Sequence, residues 1–185
     1  MSDIELKENG ESIRKRFTDR FIMPWDAFLE KNKEWTEYCE KRGLPVKQNE
    51  RYLWEMLCGA REVSFERALS YLKALPGRVL LMSENAEHPR GRGILVNGTE
   101  QIGAVAVAKA DERADLIAFE WYEGWKLWAR DMYLADAVLP EDLYVFDESM
   151  DHLLVFTHEN DDWALELAEP MIAAESRYCL MVGFE

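Results

Sequence analysis

Five consecutive positions, His158-Glu159-Asn160-Asp161-Asp162, gather an imidazole and three carboxylates, the donor types that hold Mg, Mn or Zn. Their spacing matches no established metal-site pattern, and solvated acids are common at the end of a sheet, so no metal is expected there. Glu120 and Glu123 stand three apart among Trp121, Tyr122 and Trp125, a pairing of acids with aromatic platforms that sugar hydrolysis uses. Three-residue spacing puts both acids on one side of a single helix, whereas a glycosidase needs them to flank the scissile bond. Nucleophilic catalysis needs a base positioned beside Ser or Cys. The chain has no Gly-x-Ser-x-Gly elbow, and His88, His152 and His158 have no partner visible in the sequence. Gly91-Arg92-Gly93 lacks both the Lys-Ser/Thr of a phosphate loop and the third glycine of a dinucleotide fingerprint. Arg90 and Arg92 could clamp a phosphate or carboxylate, although a solvated loop is the better explanation of them. From these patterns neither a catalytic residue nor a cofactor is expected.

The stretch that organises the rest is 139–159, LPEDLYVFDESMDHLLVFTHE. Residues 143–146 and 153–156 are apolar runs of strand length, separated by the polar Asp147-Glu148-Ser149-Met150-Asp151, and this pattern predicts a hairpin. Period-two geometry sets Leu153, Val155 and Thr157 on one face and Leu154 and Phe156 on the other, so the second strand is expected to be central. Pro140 cannot continue a ladder and marks where the first strand begins.

Upstream, Ile13, Phe17 and Phe21 predict a helix that Pro24 interrupts, and a second helix is expected over 25–42, ended by Gly43 and Pro45. Asn49 begins a further predicted helix with Tyr52, Leu53, Met56 and Leu57, closed by Gly59. Ser64 caps another, with Phe65, Leu69 and Leu72 as its stripe. Pro76-Gly77 turns the chain into a strand over 78–82. Residues 94–96 and 103–108 flank Asn97-Gly98, a type I′ turn pair, and predict a hairpin. Ala114, Ile117, Trp121, Trp125, Trp128 and Met132 share one stripe of a long helix over 111–133, which must bury it against the sheet. A last strand is expected over 178–184, paired with the central hairpin. The expected fold is therefore one α+β domain, 1–185: helices over 1–75, then over 78–185 a mainly antiparallel sheet of about four to six strands with the Trp-rich helix packed on it.

Cys39, Cys58 and Cys179 include no Cys-x-x-Cys pair, which fits reduced thiols in a cytoplasmic protein. Residues 1–16 are polar and no apolar run reaches membrane-spanning length, so neither a signal peptide nor membrane insertion is expected. The net charge is −14, and it is unevenly placed. Residues 1–110 hold 18 basic and 17 acidic side chains, a balance of +1, whereas 111–185 hold 4 and 19, a balance of −15. A field of that sign repels phosphate backbones and anionic membranes and attracts basic proteins. Part of it could equally be answered inside the molecule by Arg14, Lys15, Arg16 and Arg20.

The segments LPEDLYVFD and LLVFTHE, preceded by EWYEGWKLW at 120–128, resemble bacterial domains encoded beside polymorphic toxins as immunity proteins. Asp151-His152 stands where that pattern would carry an aromatic residue after the turn. The resemblance implies a non-enzymatic inhibitor that covers the active site of a basic, nuclease-like toxin. The partner surface expected from the charge map is the rim Asp147, Glu148, Asp151, Glu159, Asp161 and Asp162, with Trp163 as an aromatic anchor. The other reading is a small-molecule binder or enzyme with a pocket between the Trp-rich helix and the sheet, using Arg90, Arg92 and His158.

Overall fold

A computed structural model of the chain describes residues 4–84, 93–96, 99–110, 112–115, 117, 139, 140, 142–160 and 177–184, with the backbone alone at 158–160, 177 and 178. The fold is α+β. Its helices are α1 (Gly10–Phe21), α2 (Trp25–Lys31), α3 (Lys33–Lys41) and α4 (Phe65–Ala74). Its strands are β1 (Glu5–Leu6), β2 (Arg61–Val63), β3 (Arg78–Ser83), β4 (Ile94–Val96), β5 (Thr99–Gln101), β6 (Val105–Lys109), β7 (Leu143–Phe146), β8 (Leu153–Asn160) and β9 (Arg177–Val182). Seven strands form one antiparallel sheet in the order β1-β6-β3-β7-β8-β9-β2, and β4 pairs with β5 separately.

Alternation along the strands sorts the apolar residues into two cores. Val79, Leu81, Leu143, Val145, Leu154 and Phe156 face one side, where α4 docks through Phe65, Ala68 and Leu72. Leu80, Met82, Tyr144, Phe146, Leu153 and Val155 face the other, where α1 docks through Ile13, Phe17 and Phe21. Each fully buried phenylalanine removes enough apolar surface to contribute about 1.5–3 kcal/mol. Phe17 is central to the second core, with its ring 5.1 Å from that of Phe146 and edge-on to Tyr144 at 5.6 Å. As the alternation predicts, β8 lies inside the sheet, between β7 and β9.

Several local expectations change for identifiable reasons. The sheet has seven strands where four to six were expected, because the part read as helical, 1–75, supplies both edge strands. The two- and three-residue strands β1 and β2 are too short to show a period in sequence. The helix expected over 25–42 is two helices that meet at Asn32, whose backbone leaves the helical range (φ −108°, ψ 32°) while its side-chain amide donates to the Phe28 carbonyl at 2.9 Å. The helix expected after Asn49 is two short 3-10 turns, Gln48–Glu50 and Leu53–Met56, separated by extended backbone at Arg51. The hairpin expected between 94–96 and 103–108 instead pairs β4 with β5, Val96 opposite Thr99, while β6 joins the main sheet. Residues 112–115 and 117 are helical, with Ala114 and Ile117 buried as expected. The rest of the helix expected over 111–133, with Trp121, Trp125, Trp128 and Met132, lies outside the described residues. Among those that are described, no helix is long and apolar enough to cross a membrane.

Candidate functional site

The turn between β7 and β8 is built around one carboxylate. Asp147 Oδ1 accepts the backbone N–H groups of Asp151 and His152, each at 3.0 Å. Its Oδ2 lies 3.0 Å from His152 Nδ1 and 2.7 Å from the Ser149 hydroxyl, which also reaches Asp151 Oδ2 at 2.8 Å. An aspartate opening a turn favours such bonds because its short side chain reaches the backbone N–H groups ahead of it. Partial burial alone would raise the Asp147 carboxyl, but the hydrogen bonds from His152 and Ser149 and the proximity of His152 outweigh it and hold the carboxyl below its usual range. Met150 adopts φ +60°, uncommon for a side chain of its size, and its burial in the α1 core offsets that strain. The far side of the turn rests on the two residues that follow β9: the His152 ring packs 4.9 Å from that of Phe184, and the Asp151 carbonyl lies against Gly183.

Basic groups from the N-terminal elements meet this turn. Lys7 Nζ pairs with Glu148 Oε1 at 3.2 Å, with the glutamate side chain 65% exposed. Arg16 and Arg20 donate to the backbone carbonyls of Glu148 and Met150 at 3.5 and 3.3 Å, and Lys15 pairs with Asp19 of its own helix at 2.6 Å. Of the acidic rim expected from the sequence, the structure brings together Asp147, Glu148 and Asp151. Asp147 frames the turn with both oxygens, while Glu148 and Asp151 are exposed at its tip. Glu159 lies on β8, described by its backbone alone, as does His158. Asp161, Asp162 and Trp163 lie outside the described residues, as do Glu120, Glu123, His88, Arg90 and Arg92.

Sequence reasoning missed a buried polar network at one end of β3 and β7. Tyr144 is fully buried and donates its hydroxyl to Glu84 Oε2 at 2.6 Å. The same carboxylate oxygen accepts Leu53 N–H at 3.0 Å, and the tyrosine oxygen accepts Trp54 N–H at 3.0 Å. Two amides at the start of the Leu53–Met56 turn, which a helix start would leave unpaired, are thus satisfied by side chains of the sheet. Arg14 reaches over from α1 and donates to the carbonyls of Gly103 (3.1 Å), Ser83 (2.9 Å) and Glu84 (3.5 Å). This is where the structure places the arginine that the sequence grouped with Lys15, Arg16 and Arg20. Burial, the carboxylates of Glu84 and Asp142 and the bond to Glu84 together push the Tyr144 hydroxyl well above its ordinary range. Burial lowers Arg14, and the nearby Glu84 and Tyr144 oppose that. The available signal was an acid directly after a strand of buried residues, because a carboxylate in that position needs partners.

Chemically, this network ties α1 and the 53–56 turn to the sheet, since each of its hydrogen bonds joins two parts of the fold. Among the described residues no three His, Cys, Asp or Glu side chains are grouped to hold a metal ion. None of the three cysteines is in a disulfide; Cys39 and Cys179 are buried and Cys58 is exposed. Among the described residues, the turn between β7 and β8 presents carboxylates beside the cations of α1. Compared with protein-family models, with curated proteins and with solved structures, the chain matches none of them.

Proposed function

We propose that this chain is a non-enzymatic binding protein of the cytoplasm, an immunity-type inhibitor that neutralises a basic, nuclease-like protein toxin by covering its active site. The observation that carries this reading is the segregation of charge: 19 acidic against 4 basic side chains over 111–185, in a chain otherwise near neutral. A surface built to hold phosphate is cationic, and an acidic partner both steers the encounter and competes with the nucleic acid. The turn geometry supports the same reading. Asp147 fixes the backbone, so Glu148 and Asp151 are presented from a turn whose main chain needs no further ordering at binding. Arg16 and Arg20 reach this turn through its backbone carbonyls, and of its exposed acids Glu148 meets Lys7. The proposed surface comprises Asp147, Glu148 and Asp151 with Glu159, Asp161 and Asp162, and Trp163 as its anchor.

The test is retention of proteins from the source cells on the immobilised chain at low salt, followed by elution with rising salt. The expected result is one basic protein, eluting at lower salt from the Glu148→Lys, Asp151→Lys variant and losing its nuclease activity when mixed with the unaltered chain. Retention that the double variant leaves unchanged, or a retained protein whose activity is unaffected, would overturn the reading.

A further inference from the structure

We draw no further inference here: the strongest candidate, the half-exposed aromatic face of α2 and α3 where Arg51 lies over Trp35 at 4.8 Å and Arg42 over Tyr38 at 4.5 Å, carries none because nothing in the structure shows what covers it.

Discussion

The Tyr144 hydroxyl stands 2.6 Å from Glu84 Oε2, and both oxygens also receive a backbone N–H from the 53–56 turn. Neither side chain can therefore be removed without stranding a buried partner. Tyr144→Phe leaves the Glu84 carboxylate short of one donor and the Trp54 amide without its acceptor. The expected loss is about 1–3 kcal/mol, the cost of a buried group left unsatisfied. Chemical denaturation measures it, with Tyr38→Phe as the control, since Tyr38 is 50% exposed. Equal midpoints for the two variants would show that the network contributes nothing.

The same bond makes stability sensitive to alkali. Folding raises Tyr144 above its ordinary value of 10.0, because burial disfavours the phenolate and ionisation would place a second anion beside Glu84. The neutral form is the one that folding favours. Its contribution is fully present below the unfolded value and is lost as pH rises from there through the folded value. Unfolding midpoints measured from pH 8 to 11 should therefore fall more steeply for the unaltered protein than for Tyr144→Phe. Parallel curves would remove Tyr144 as the cause.

Asp147 has the opposite sign. Its carboxyl is held below 3.8, so the stability it adds is present above that value and disappears as pH falls through the folded value. Asp147→Asn keeps the shape of the side chain but weakens the bonds from Asp151 and His152, at an expected cost of about 1–2 kcal/mol at neutral pH. The substitution should also flatten the acid limb of the stability profile. A comparison of unfolding midpoints at pH 3 and pH 7 reads both effects.

Gly183 allows β9 to pass the turn. Its φ is +84°, and a Cβ there would collide with the Asp151 carbonyl oxygen. Gly43 has a similar φ of +65° but nothing within 4 Å of where its Cβ would be. Gly43→Ala should cost about 1 kcal/mol, from backbone conformation alone. Gly183→Ala should cost clearly more, because the turn must also move, and thermal melts of the two variants separate the contributions.

The parts legible in the sequence are those where period and burial coincide. Leu153 to Phe156 alternates between two apolar faces and is central, and Ser64 accepts the Arg67 N–H at the start of α4 as its position predicted. Edge strands were illegible because β1 and β2, two and three residues long, are too short to repeat the two-residue alternation and owe their conformation to β6 and β9. The 53–56 turn was read as helix because Leu53, Met56 and Leu57 have helical spacing. What decides its backbone is Glu84 and Tyr144, 31 and 90 residues away along the chain. For the acidic rim, charge was visible but its use was not: nothing in DESMD tells that Asp147 is spent on the backbone while Glu148 faces Lys7.

That division of labour gives a sharper test of the binding surface than charge reversal alone. Among the described residues the Glu148 carboxylate is held by a partly exposed ion pair with Lys7, and pairs of this kind contribute little to stability, about 0–1 kcal/mol. Lys7→Ala should leave the unfolding midpoint nearly unchanged while releasing Glu148 for a cationic partner. Glu148→Gln should be equally mild for folding but remove the charge. If the turn binds a basic toxin, association at low salt should speed up for Lys7→Ala and slow down for Glu148→Gln, with the two rates converging as salt is raised. Stopped-flow mixing with the retained protein measures this directly. Rates that do not differ at low salt would move the interface away from this turn, even if the chain as a whole proved to be an inhibitor.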